Sequence, residues 1–144
     1  AKAGINKTIL ASLGGEVHCF MSDPDVAQEA KSRGVTRAFV SMEKAAALEK
    51  PCIFAIGNAP TALLSLEQLM EEGKAAPALI IGVPVGFVNV VESKERLFAV
   101  CESHGVPAIV AMGRKGGSNV AAAICNALIY SAAEMLDPTA RGWK

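Results

Sequence analysis

Aromatic side chains are scarce, at 5% of the 144 residues, and neither sign of charge predominates: 14 Lys and Arg stand against 14 Asp and Glu, a formal net charge of zero. That balance removes the bulk electrostatic pull of a general nucleic-acid binder or of a protein drawn to a polyanionic membrane. No apolar run approaches the ~18 residues that a bilayer span requires. The opening Ala1-Lys2-Ala3-Gly4-Ile5-Asn6-Lys7 also lacks the charged-then-apolar order of a secretion signal. A cytoplasmic protein is expected, and because the chain opens without Met, so is a segment preceding Ala1. Cys19, Cys52, Cys101 and Cys125 lie far apart, with no CxxC and no His at ligand spacing; they are expected to be buried free thiols, and no metal site is expected. The dinucleotide fingerprint and the P-loop pattern are absent, which disfavours a Rossmann dehydrogenase and a P-loop enzyme.

What the chain does have is apolar substance: 51% hydrophobic and 19% charged residues, enough for one substantial core and inconsistent with disorder. Three runs share one pattern, Pro51–Gly57, Pro77–Gly82 and Pro107–Gly113: Pro opens, four or five apolar residues follow, Gly closes. Continuous apolarity without alternation implies burial on both faces, as in a parallel sheet covered by helices. Glu16–Met21 reads as a fourth strand. Between the runs lie helical patterns: Asp23-Pro24 to about Ser32, stopped by Gly34; Thr36 as cap of a helix through Met42 to Lys50; Asn58-Ala59-Pro60 to Gly73; Val88 to Ser103; and Ser118 to about Met135. The alternation predicts a doubly wound, mainly parallel α/β sheet with helices on both faces, a three-layer α/β/α domain over residues 1–136, followed by a loose tail, 137–144.

In such a sheet ligands bind beyond the carboxyl ends of the strands. Three Gly-bearing turns fall there: Gly57-Asn58-Ala59-Pro60-Thr61, Gly82-Val83-Pro84-Val85-Gly86-Phe87 and Gly113-Arg114-Lys115-Gly116-Gly117-Ser118. Free backbone N–H groups at the helix starts favour anions, and the third turn adds two cations. Each turn could be a plain connection, but three on one edge point to a polar crevice for a ligand with several separated negative groups. Glu92-Ser93-Lys94-Glu95-Arg96 reads as a solvated helix face that could also hold functional groups. By its residues alone Arg37 is an ordinary surface cation. His18 reads as a packed or edge-strand side chain and His104 as a helix C-terminal base, with no catalytic role assigned to either.

Gly57–Leu63, Gly82–Val88 with Glu92-Ser93-Lys94, and Gly113–Ser118, in that order, resemble the precorrin-8X methylmutase family of cobalamin biosynthesis; Ala3–Lys7 and Gly34–Arg37 resemble two weaker motifs of the same family. The resemblance implies an isomerase that moves a methyl group from C-11 to C-12 of precorrin-8X or cobalt-precorrin-8, giving hydrogenobyrinate or cobyrinate, with no cofactor. It implies substrate contacts at Asn6, Arg37, Gly57, Asn58, Thr61, Gly82, Pro84, Val85, Gly86, Phe87, Glu92, Ser93, Lys94, Arg114, Lys115, Gly116, Gly117 and Ser118. It also implies a homodimer with the site near the interface, and an acid His in a segment before Ala1 that neither His18 nor His104 matches. The rival readings are a non-catalytic corrinoid-binding fragment and an α/β enzyme of a phosphorylated metabolite that uses the Gly113 turn.

Overall fold

The computed structural model describes residues 1–142. Six α-helices and three strands follow one another as α1 (Lys7–Ser12), α2 (Pro24–Arg33), α3 (Arg37–Ala46), β1 (Ile53–Ile56), α4 (Pro60–Glu71), β2 (Leu79–Gly82), α5 (Val90–His104), β3 (Ala108–Val110) and α6 (Ser118–Ala132). The strands form one parallel sheet in the order β1-β2-β3, with Ile53 opposite Leu79 and Ile80 opposite Ala108. Parallel pairing follows from the crossovers: each strand leaves into a helix that returns the chain to the starting edge.

Both faces of the sheet are covered. On one, Phe54, Ile56 and Ile80 pack with Leu63, Leu66 and Met70 of α4 and Leu97, Val100 and Cys101 of α5. On the other, Ile81, Val83 and Ala55 pack with Ala121, Ile124 and Cys125 of α6. Burial on both faces, as continuous apolarity predicts, holds for β2, whereas Ile53 at the start of β1 is 56% exposed and β3 is half-buried. Outside α4 lies α3, capped by the Thr36 hydroxyl, which accepts from the Phe39 amide at 3.1 Å. Gly34, at φ 67°, makes the left-handed turn between α2 and α3.

Several sequence expectations are corrected. Glu16–Met21 is not a strand: Phe20 packs on Val26, Ala30 and Val40, while Glu16 reaches out to His18 at 3.1 Å and Lys50 at 3.6 Å. With Glu16, His18 and Cys19 all exposed, the segment cannot be buried on two faces as a central strand is. The Thr36-capped helix ends at Ala46, not Lys50, and the last helix at Ala132, not Met135. Asn89 stands in the left-handed region at φ 59°, which delays the start of α5 to Val90. Helix α1 is an element that the sequence pattern does not predict. Of the tail, Trp143 and Lys144 lie outside the described residues. Before them Asp137 caps a 3-10 turn over Pro138–Arg141, and the Arg141 guanidinium lies 4.3 Å from the centroid of the Tyr130 ring, so this stretch is docked on α6. Cys19 is exposed, against the expectation that every thiol is buried; burial pushes the thiols of Cys101 and Cys125 up from their ordinary pKa.

Candidate functional site

The starts of α4, α5 and α6 follow the carboxyl ends of the strands, and the amino end of α3 lies at the same edge, since its cap Thr36 shares a hollow with Thr61 at the start of α4. The turns after the strands meet there. The Gly117 amide donates to the Val83 carbonyl at 2.8 Å, Gly86 to Arg114 at 3.4 Å, and Val83 to Ile56 at 2.9 Å. Two glycines make this closeness possible. A Cβ on Gly57 would stand 2.7 Å from Ser118 Cα and 2.9 Å from the Gly117 carbonyl oxygen; one on Gly116 would stand 2.9 Å from the Pro84 carbonyl oxygen and run into that of Val83. Only glycine lets these backbones touch.

The polar resources of this edge are mostly backbone. Helices α4, α5 and α6 each begin without a side-chain cap, which leaves first-turn N–H groups and the positive helix ends for an anion. Arg114 and Lys115 are exposed on the third turn, and Arg37, Asn58 and Thr61 are exposed at the starts of α3 and α4. Thr36 and Thr61 line an open hollow of about 290 Å³ with Phe39 and Leu64. Beside the cations stands an apolar rim: Val85, Met112, Val88 and Phe87 are 45%, 50%, 77% and 85% exposed. Four large exposed apolar side chains on two adjoining turns suit a broad, flat, apolar ligand surface. Anion-binding groups and a greasy rim on one edge can hold a large ring that carries carboxylates at its periphery.

Some residues singled out in the sequence have other placements. Asn6 caps α1, its side-chain oxygen accepting from Ile9 at 3.1 Å; its backbone amide donates to Asn126 Oδ1 at 2.8 Å and its Nδ2 to Tyr130 Oη at 3.4 Å. These bonds hold it against α6. Gly82 and Pro84 are buried in the end of β2 and its turn. Glu92 is exposed and pairs with Arg96 at 3.7 Å. Residues 92–96 are not one solvated face, since Ser93 and Lys94 are fully buried. Ser93 Oγ donates to the Val90 carbonyl at 2.8 Å. Lys94 Nζ donates to the carbonyls of Gly113 and Lys115 at 2.8 and 2.9 Å, and burial pushes its pKa down. The spacing Val90, Lys94, Leu97, Cys101 is that of a helix core stripe, a signal that could have revealed this burial. His104, at the far end of α5, contacts the Val100 carbonyl and Ser103 Oγ, each at 3.0 Å. His18 stacks on Phe20, beside Lys44 near the end of α3. Neither histidine belongs to the edge where the turns meet. A second hollow, between α2 and α3, is lined by ion pairs such as Arg33–Glu43 and Lys44–Asp25 that neutralise one another.

Comparison with known proteins gives one result throughout. The family model for precorrin-8X methylmutase matches residues 1–131. A cobalt-precorrin-8 methylmutase of Salmonella typhimurium is 50% identical over 131 residues, 90% of this chain and 59% of that protein. One of Priestia megaterium is 50% identical over 127 residues, 88% of this chain and 55% of that protein. Among solved structures, a precorrin-8X methyl mutase from Thermus thermophilus superposes with a TM-score of 0.77 at 40% identity, over 94% of this chain and 64% of that one. The chain thus spans between half and two thirds of the length of these relatives.

Proposed function

The chain belongs to the precorrin-8X methylmutase family, and from that premise we propose that it is the macrocycle-holding part of a methylmutase of cobalamin biosynthesis, an isomerase that moves a methyl group from C-11 to C-12 of precorrin-8X or cobalt-precorrin-8. The observation that carries this reading is the meeting of the three turns at one sheet edge, where uncapped helix starts, exposed Arg114 and Lys115 and the rim of Val85, Phe87 and Val88 adjoin. The substrate has the matching chemistry: a broad ring with acetate and propionate carboxylates around it. The helix starts of α4, α5 and α6 and the side chains of Arg37, Arg114 and Lys115 receive those carboxylates, and the apolar rim lies against the ring and keeps water from it. The exposed residues of the turns 57–61, 82–87 and 113–118 form this surface over the buried Gly57, Gly82, Val83 and Pro84, with Lys94 beneath the third turn.

Holding the ring in one orientation and stabilising charge as the methyl migrates is the contribution of this part. The proton donor implied by the family likeness is a His other than His18 and His104. The likeness also supports a homodimer and a cytoplasmic location, and no helix of the described residues is long and apolar enough to cross a membrane. Optical titration with hydrogenobyrinic acid tests the reading, because the corrin chromophore reports its own binding. Near-stoichiometric binding that inorganic phosphate does not displace is expected. A folded chain that leaves the spectrum unchanged would overturn the reading, and binding of phosphate without any response to the corrinoid would favour a phosphorylated metabolite instead.

A further inference from the structure

Lys94 is a fully buried ammonium in the middle of α5, and among the described residues no carboxylate lies within ion-pair distance of it. Its two hydrogen bonds go to the carbonyls of Gly113 and Lys115, the residues on either side of Arg114. A buried charge is unfavourable unless its surroundings compensate it, and two carbonyl dipoles do so only in part. The same turn is fixed on its other side, where Gly117 donates to Val83 and Gly86 to Arg114, and Gly116 abuts the Val83 and Pro84 carbonyls. The turn is thus held between α5 beneath it and the end of β2 beside it, with the side chains of Arg114 and Lys115 exposed.

We propose that Lys94 is a positioning residue: it fixes the 113–117 turn from within, so that Arg114, Lys115 and the start of α6 are set for a polycarboxylate ligand, and it acts on that ligand through the turn without touching it. The ligand half of this inference rests on the corrinoid reading above. Burial forbids direct contact, because a ligand reaching Nζ would have to displace the turn. The pairing also has a chemical logic. Drawing the Gly113 and Lys115 carbonyls down onto a cation keeps their negative ends away from the crevice, so the surface offered to carboxylates consists of N–H groups and cations.

Two measurements on the same 144-residue chain test this. The first needs no ligand: amide hydrogen exchange in the wild type, Lys94→Met and Lys94→Gln. Removal of the ammonium is expected to speed exchange at Gly117 by about tenfold or more while Ile80 and Ile81 in β2 keep their protection. Gly117 protected as in the wild type in a folded variant would overturn the proposal; should Lys94→Met fail to fold, the shorter amide of Lys94→Gln supplies the comparison. The second is a thermodynamic cycle in hydrogenobyrinic acid affinity. Lys94→Met is expected to weaken binding by about tenfold in the wild type and by less than about twofold where Arg114 and Lys115 are already Ala. An equal loss in both backgrounds would show Lys94 acting independently of the turn and overturn its assignment. Absence of binding by the wild type would overturn the corrinoid reading alone, and the exchange comparison would still decide what Lys94 does.

Discussion

The Gly117 amide donates to the Val83 carbonyl at 2.8 Å, so the turn after the last strand is bonded to the end of the middle one. Next to this bond, Gly116 lies flat on the Val83 and Pro84 carbonyls. Gly116→Ala is therefore expected to cost about 1–3 kcal/mol, the range for overpacking a closely fitted site, because the obstructing atoms are backbone and cannot rotate away. Urea unfolding checks this: the midpoint should fall with the slope unchanged. An unmoved midpoint would mean that the two turns part easily.

Glu67 illustrates a different dependence. Its carboxylate is largely buried on α4 and accepts from Arg96 Nε and Nη2 of α5 at 3.2 and 3.1 Å. Arg96→Ala leaves that carboxylate without its cation in a site where water enters poorly, and a loss of about 1–3 kcal/mol is expected. Replacing Glu67 by Gln in the same variant should recover part of it, since a neutral amide bears desolvation better. Equal stability of the single and double variants in chemical denaturation would show that water already satisfies Glu67.

The strands are legible because a sheet covered on both faces leaves a plain trace: every position of Ile53–Ile56 and Leu79–Gly82 but the closing Gly is apolar, even though Ile53 itself is exposed. The carboxyl edge of the sheet follows from parallel topology, and the three Gly turns meet on it. Glu16–Met21 misled because a short apolar-polar mixture fits a strand as well as it fits a chain draped over a helix; Phe20 belongs to the α2–α3 cluster, a tertiary fact with no local signature. Lys94 was hidden by its neighbours. Glu92, Glu95 and Arg96 make the stretch look solvated, and only the helical spacing to Val90, Leu97 and Cys101 shows that the ammonium points inward. The anchoring of Asn6 on Asn126 and Tyr130 joins residues 120 or more apart in sequence, beyond the reach of any motif.

The α2–α3 ion pairs give a pH dependence of definite sign. Lys44 holds the Asp25 carboxyl below its ordinary 3.8, through hydrogen bonding first; Asp23 and then Asp25 hold the Lys44 ammonium above its ordinary 10.5. A carboxylate whose folded pKa is lowered stabilises the fold above its unfolded value, and that stabilisation is lost as pH falls through the folded value. The raised ammonium contributes below its unfolded value and ceases to as pH rises through the folded one. The gap in thermal midpoint between wild type and Lys44→Met is thus expected to be widest near neutrality and to narrow towards about pH 3. A gap constant over that range would mean that Lys44 acts through its contact with Phe20, whose ring centroid is 5.0 Å from its Nζ, and not through the carboxylates.

Arg37 separates binding from stability most cleanly. It is exposed in the first turn of α3, beside the cap Thr36 that lines the hollow shared with Thr61, and among the described residues no side chain accepts a hydrogen bond from it. Its removal should leave the fold alone, within about 0.5 kcal/mol as for a surface substitution. If its guanidinium grips a ring carboxylate at the crevice, Arg37→Ala should at the same time weaken hydrogenobyrinic acid binding by about 1–3 kcal/mol. Lys at this position should recover only part of the loss, since a point charge replaces a planar fork that bonds both carboxylate oxygens. Paired measurements of thermal midpoint and of affinity by optical titration decide the matter. An unchanged affinity would place Arg37 outside the crevice, and an affinity loss accompanied by an equal stability loss would mean that it supports α3 and does not hold the ligand.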